Sequence, residues 1–121
     1  MKFQGITIKG AGRGKEIGFP TVNVKLSTPE YEEGVFAVRG ELNEKKFEGV
    51  AHFGPRPTFE DENLSMEIHI FDFEENVIES SQVKFETIGE KIRPILKFNS
   101  SEALKIQIQR DIGSAKELLN M

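Results

Sequence analysis

The sequence predicts a mainly β fold in which about six mostly antiparallel strands form a barrel or a sandwich and one α-helix follows at the C-terminal end. Apolar and polar residues alternate in several short segments separated by turn-forming residues, a pattern typical of half-buried strands. One segment near the end instead carries apolar residues every three or four positions, which is typical of an amphipathic helix packed on a sheet. Closure of the sheet into a barrel would leave no exposed edge strand.

Length and composition limit the possible classes of protein. The chain has 121 residues, which we expect to form one domain over residues 1–121. It has no cysteine, which excludes disulfides and thiolate chemistry and leads us to expect a cytoplasmic protein. The net charge of −4 argues against a nucleic-acid partner, and no apolar run is long enough to span a membrane. We also expect a monomer. Ten phenylalanines and no tryptophan predict a phenylalanine-rich core.

The first strand is predicted at residues 3–9, where Ile6 and Ile8 are apolar and Thr7 and Lys9 are polar. Further strands are predicted at residues 21–26, 34–42, 46–53, 66–73 and 83–88. Asn43 and Glu44 form a polar turn between the third and fourth strands, which predicts a hairpin. Residues 89–98 show no regular pattern and are predicted to be irregular.

The last element is predicted to be a helix that begins after Asn99. This residue can cap the helix, with Glu102 three positions later as in a capping box. The apolar stripe that follows consists of Leu104, Ile108, Ile112, Ala115 and Leu119.

A glycine loop precedes the second strand. Gly10, Gly12 and Gly14 fall within five residues, so their backbone N–H groups are unscreened by side chains and can close over an anion. Arg13 and Lys15 add positive charge. The loop therefore predicts a phosphate site, although a simple surface turn leading into a strand fits the same spacing.

Two polar residues of the second strand, Thr21 and Asn23, lie two positions apart and so share one face. The other face carries Val22, Val24 and Leu26 and must point into the core. A hydroxyl and an amide oxygen side by side suit a hard cation such as Mg²⁺, which prefers oxygen ligands. Together with the glycine loop, the pair predicts a nucleotide-phosphate and metal site.

Glu67 is a carboxylate in a strand that is otherwise rich in apolar residues. It shares a face with His69, Phe71 and Phe73, so apolar rings could raise its pKa and make it a general base. A solvated sheet face is the simpler interpretation. The two histidines, His52 and His69, are too few to predict a zinc site, and by default we interpret them as surface or packing residues.

Four motifs in order along nearly the whole chain resemble the riboflavin kinase family in its ATP-dependent bacterial and eukaryotic form. They are residues 10–14 with 18–23, residues 49–51 with 54–59, residues 66–73, and residues 92–94 with Lys97 and Phe98 ahead of a helix that carries Gln107, Ile108 and Asp111. Each motif is weak alone, whereas four in the right order and spacing are specific.

The resemblance implies a six-stranded Greek-key barrel with a C-terminal helix, on which ATP and riboflavin meet and FMN is formed. It implies that Glu67 is the catalytic base and that Arg93 and Phe98 bind the flavin. Thr21 and Asn23 would bind Mg²⁺ at the phosphates. The nucleotide-binding residues implied are Gly10, Gly12, Arg13, Gly14, Lys15, Thr21 and Asn23. The family's adenylyltransferase domain has no counterpart here, so we expect the product to be FMN.

The sequence departs from the family pattern at two places. Residues 77–79 lack the tyrosine that the family commonly has near the nucleotide, and Ile95 and Leu96 stand where the family often has a glutamate. An alternative is therefore a paralogue that binds flavin or nucleotide without turnover and has a regulatory role. A structural barrel with neither ligand is a third possibility.

Overall fold

The computed structural model describes residues 1–8, 21–27, 32–54, 65–71 and 80–120. Within them the chain forms a closed six-stranded barrel with a helix at its C-terminal end. The elements are β1 (Lys2–Ile8), β2 (Thr21–Leu26), β3 (Gly34–Leu42), β4 (Lys45–Phe53), β5 (Ser65–Ile70), β6 (Gln82–Arg93) and α1 (Ser101–Leu119).

The strands follow the order β1-β2-β5-β4-β3-β6 around the barrel, and the neighbouring pairs are antiparallel. Strands β3, β4 and β5 are consecutive neighbours, and β6 returns to lie beside β3. This arrangement is a Greek key, so the predicted fold class is confirmed. The hairpin between β3 and β4 turns at Asn43 and Glu44, whose φ angles of 49° and 70° suit the tight hairpin turn that matches strand twist.

Phenylalanine fills much of the barrel interior, as the composition predicts. The ring centroids of Phe3 and Phe53 are 5.1 Å apart, and those of Phe3 and Phe85 are 5.3 Å apart. The inner cluster consists of Phe3, Val24, Leu26, Phe36, Val38, Leu42, Phe47, Ala51, Phe53, Met66, Ile68, Val83 and Phe85. Tilted and edge-on contacts between such rings stabilise the core beyond the area they bury.

Buried and exposed residues alternate along β1 as predicted, but Ile6 and Ile8 do not lie on the inward face. Phe3 and Thr7 are buried, whereas Ile6 is 42% exposed. The aromatic ring of Phe3 fixes which face points inward because it belongs to the core cluster. Burial of Thr7 is tolerated because its hydroxyl accepts a hydrogen bond from the Ser81 N–H at 2.9 Å.

Helix α1 packs on the outside of the barrel against β3, β4 and β6. A second apolar cluster forms there, in which Val35, Ala37 and Val50 of the sheet meet Ala115 and Leu119 of the helix. Strand β3 is therefore covered on both faces, which explains its continuous buried run from Gly34 to Val38.

Two predictions near the C-terminal end are wrong in detail. Residues 89–93 are not irregular but extend β6 to Arg93, beyond the bend at Gly89, where φ is +74°. Gly89 breaks the alternation that marks the strand in the sequence. The helix is capped by Ser100 rather than Asn99, because the Ser100 hydroxyl accepts from the Ala103 N–H at 3.1 Å.

Candidate active site

Asn23 and Glu67 lie directly opposite each other in the antiparallel pair of β2 and β5. Thr21 lies opposite His69 one step further along the same pair. Directly opposite residues point to the same face of a sheet. Their neighbours Val24, Met66 and Ile68 belong to the inner cluster, so this face is the outside of the barrel. The sheet register thus brings together the predicted metal ligands and the predicted base.

His52 lies on the other side of Glu67, because β4 pairs with β5 through His52 and Glu67. The carboxylate-bearing residue is therefore flanked by Asn23 on β2 and by His52 on β4. Glu67 and His52 are both half-buried, while Asn23 is buried at 5% exposure. Close approach of β4 and β5 depends on Gly49, since a Cβ there would collide with the His69 carbonyl oxygen.

The pKa of His69 depends on burial and on several neighbouring titratable groups. Burial lowers its pKa from the ordinary value of 6.5, and neighbouring His52 lowers it as well. The carboxylates of Glu67 and Asp111 act in the opposite direction but do not outweigh burial. His69 is therefore neutral at pH 7. Asp111 belongs to helix α1, which packs on the outside of the barrel.

Arg93 at the end of β6 is held by Asp111 in the middle of α1. The Arg93 Nε donates to Asp111 Oδ1 at 2.9 Å, and Nη2 donates to Oδ2 at 2.8 Å. The Gln107 amide donates to the same carboxylate at 3.0 Å. The two charged side chains are only 10% and 4% exposed. Such a bidentate pair fixes both position and orientation of the guanidinium.

Besides Asp111, Arg93 also contacts the aromatic ring of Phe98. The Arg93 guanidinium carbon lies 5.6 Å from the centre of the Phe98 ring, a cation–π contact. The Arg93 Nη1 also donates to the Pro94 carbonyl oxygen at 3.1 Å. The structure thus brings the two predicted flavin-binding residues into contact. In the segment between them, Ile95 packs on the outer apolar cluster.

The predicted site residues fall into two described groups. Thr21, Asn23 and Glu67 form one group, and Arg93 with Phe98 forms the other. Between the two groups, His52 pairs with Val35 of β3, and Val35 pairs with Arg93 of β6 next to a register shift between Val35 and Ala37. Val35 is buried beneath helix α1, so the helix separates the two groups at this point. The loop residues Gly10, Gly12, Arg13, Gly14 and Lys15, and the departure at residues 77–79, lie outside the described residues.

The sequence did not predict roles for His52 or Asp111, which the structure adds to this face. Asp111 occupies a position in the buried stripe of the helix, and an acidic residue there is a signal for a buried partner. His52 offers no comparable signal, because only the register of β4 against β5 brings it beside Glu67.

A separate cleft of about 680 Å³ lies where the C-terminal end of α1 meets β3 and β4. Arg39, Glu48, Phe71 and Lys116 are among the residues that line it. Its described lining contains none of the catalytic, nucleotide-binding, flavin-binding or metal-binding residues predicted from the sequence, so the candidate site is defined by the Asn23–Glu67–His52 face and not by this cleft.

Comparisons with known proteins decide the family. A sequence model of the family Flavokinase, described as riboflavin kinase, matches residues 1–119. The chain belongs to the riboflavin kinase family. It is 39% identical over 119 residues to a bifunctional riboflavin kinase/FMN adenylyltransferase of Haemophilus influenzae, covering 96% of this chain and 38% of that protein. A Bacillus subtilis protein of the same description is 39% identical over 113 residues, with 89% and 35% covered.

A solved structure supports the same fold. The crystal structure of a protein from Streptococcus pneumoniae, titled as a macrolide-efflux protein, matches with a TM-score of 0.82 and 30% sequence identity. The match covers 95% of this chain and 38% of that one. This chain spans less than two-fifths of the length of each of the two curated relatives described above. No helix among the described residues is long and apolar enough to cross a membrane.

Proposed function

We propose that this chain transfers the γ-phosphate of ATP to the terminal ribityl hydroxyl of riboflavin, giving FMN and ADP. The observation that carries the proposal is the position of Asn23 directly opposite Glu67 in a chain of the riboflavin kinase family. Phosphoryl transfer needs positioning and neutralisation of charge more than covalent chemistry. An oxygen ligand for a cation beside a carboxylate base meets both needs.

Glu67 is the proposed base. Its carboxylate accepts the proton of the ribityl hydroxyl as that oxygen forms its bond to the γ-phosphorus and the bond to the ADP oxygen breaks. Its side chain is half-buried on the outer face of the barrel. His69 lies two residues further along the same strand and shares its face with Glu67.

Thr21 and Asn23 are the residues that would hold Mg²⁺. Their hydroxyl and amide oxygens are hard donors on one face of β2, which fits a cation that prefers oxygen and completes its shell with phosphate and water. The described residues contain no cluster of three or more His, Cys, Asp or Glu side chains that could hold a metal. This suits a metal that arrives with the nucleotide. Bound there, Mg²⁺ would neutralise charge on the phosphates.

Arg93 and Phe98 are the proposed flavin side of the site. The Asp111 carboxylate and the Phe98 ring hold Arg93 from two directions, so the guanidinium and the ring are fixed relative to each other. Because the Arg93 side chain is only 10% exposed, the half-buried Phe98 ring is the part that would stack on a flat heteroaromatic ring. The glycine loop with Gly10, Gly12, Arg13, Gly14 and Lys15 is proposed to cover the ATP phosphates.

The test is a turnover assay with the purified chain, riboflavin, ATP and Mg²⁺, in which FMN and ADP are separated and quantified. We expect equal amounts of both products, and none when ATP is omitted. Absence of FMN across several nucleotides and divalent metals would overturn the proposal. Saturable quenching of flavin fluorescence without product would instead identify a flavin-binding protein that does not catalyse the transfer.

A further inference from the structure

Gln107 lies on helix α1 one turn before Asp111, and its side chain is half-buried. Its amide Nε2 donates a hydrogen bond to Asp111 Oδ1 at 3.0 Å. The same oxygen accepts a hydrogen bond from the Arg93 Nε at 2.9 Å. Donors from α1 and from β6 therefore hold one carboxylate oxygen together, and Gln107 restrains the carboxylate without replacing either member of the ion pair.

The Arg93 side chain carries this restraint to residues 94–98. Asp111 binds one edge of the guanidinium, where Nη2 and Oδ2 are 2.8 Å apart. The Arg93 Nη1 donates to the Pro94 carbonyl oxygen at 3.1 Å, and the guanidinium carbon lies 5.6 Å from the centre of the Phe98 ring. Residues 94–98 form neither helix nor strand, so side-chain contacts such as these set the position of the ring.

Phe98 is half-buried and is the ring proposed above to stack on the flavin. A surface that is already fixed binds its ligand more tightly, because less conformational freedom is lost on association. We propose that Gln107 is a positioning residue for flavin binding, which acts on Phe98 through Asp111 and Arg93 and does not itself touch the flavin. This inference rests on the flavin role proposed for Phe98.

The test removes the Gln107 hydrogen bond and leaves the Arg93–Asp111 ion pair in place. In Gln107→Ala, the dissociation constant for riboflavin, measured by quenching of flavin fluorescence, should rise roughly 3- to 10-fold. Gln107→Met keeps the length of the side chain but has no N–H donor, so it should show the same rise. The matched control is Gln109→Ala, an exposed glutamine of the same helix, which should keep the wild-type constant.

Two further readouts separate positioning from a general loss of structure. Urea denaturation gives the folded fraction of each variant, and a chain that is about 90% folded loses only roughly 1.1-fold in apparent affinity through unfolding. The half-saturating ATP concentration in FMN formation should stay within about twofold of wild type, because the proposed nucleotide residues Thr21 and Asn23 lie on β2. An equal rise for ATP and for riboflavin would contradict a role confined to the flavin.

A double variant tests the route through Phe98. Phe98→Leu removes the ring, and in that background Gln107→Ala should change the riboflavin dissociation constant by less than about twofold. An undiminished effect of Gln107→Ala in the double variant would overturn this route.

The inference and the proposed function can fail separately. Wild-type riboflavin dissociation constants in Gln107→Ala and Gln107→Met would overturn the inference and leave the kinase activity standing. Normal riboflavin binding by the wild-type chain without formation of FMN would overturn the kinase activity alone.

Discussion

The Arg93 guanidinium and the Asp111 carboxylate form a buried bidentate ion pair that joins the end of β6 to the middle of helix α1. Gln107 donates a further hydrogen bond to Asp111, so the carboxylate is held from both elements. The pair fixes the helix at the point where residues 94–98 leave the barrel. It therefore determines where Phe98 lies relative to the Glu67 face.

Removal of Asp111 should destabilise the protein strongly. Asp111→Ala leaves the Arg93 charge buried without its partner, which costs about 3 kcal/mol or more of unfolding free energy. Urea denaturation measures the loss. The matched control is Glu48→Gln, because the Arg39–Glu48 pair has a 3.0 Å contact but both side chains are nearly half exposed. We expect that variant to lose less than about 1 kcal/mol. Equal losses in the two variants would contradict the structural role given to Asp111.

Substitution of the proposed Mg²⁺ ligands should weaken the dependence of turnover on Mg²⁺. In Thr21→Val and in Asn23→Ala, one oxygen donor is lost, and we expect the half-saturating Mg²⁺ concentration to rise roughly tenfold, equivalent to about 1.4 kcal/mol. The experiment is a Mg²⁺ titration of FMN formation at fixed ATP. Lys25→Ala is the control, since Lys25 is an exposed residue two positions further along β2. An unchanged half-saturation in both variants would remove Thr21 and Asn23 as ligands.

The strands were largely predictable because alternation is a local property. Strands β2 and β3 match their predicted bounds, and β4 begins one residue earlier, at Lys45. The inward face of β1 was not predictable from Ile6 and Ile8, since the barrel buries Phe3 and satisfies Thr7 instead. The end of β6 was missed because Gly89 interrupts the pattern while the sheet continues through it.

The residue types of the proposed site are visible in the sequence, but their arrangement is not. Thr21 and Asn23 were singled out from their spacing, and Glu67 was singled out as a carboxylate in an otherwise apolar strand. However, β2 and β5 are far apart in the chain, and no local pattern gives their register. The same is true of His52 beside Glu67 and of Asp111 beside Arg93. Register depends on burial of the whole barrel, so it follows only once the strands close around one core.

Glu67→Gln should separate catalysis from binding. The amide keeps the size of the side chain but cannot accept the hydroxyl proton, so we expect turnover to fall by about 10²- to 10⁴-fold. Riboflavin binding, followed by fluorescence quenching, should stay within about twofold of wild type because the shape of the face is preserved. Glu41→Gln is the control, since Glu41 is an exposed carboxylate near the end of β3 and is not among the proposed site residues. Undiminished turnover in Glu67→Gln would exclude Glu67 as the base.

Because of His69, the free energy of unfolding should decrease as the pH falls below the ordinary pKa of histidine. Burial lowers its pKa in the folded chain below the ordinary value of 6.5, so the unfolded chain protonates first as the pH falls. Its contribution to stability is complete above about pH 6.5 and is lost as the pH falls through the lower pKa of the folded state. The groups that face it, Glu67, His52 and Asp111, modify the size of this effect but not its sign.

The measurement is the free energy of unfolding in urea from about pH 8 to about pH 5, where histidine titrates. We expect the advantage of wild type over His69→Gln to shrink as the pH falls, because only wild type has a buried imidazole to protonate. The other histidine supplies the comparison: His52→Gln keeps His69, so the slope should keep its sign, and it should be shallower because His52 is one of the groups that lower the pKa of His69. A constant difference between wild type and His69→Gln across this range would show that His69 protonates equally in the folded and unfolded chains, and burial would then not control its charge.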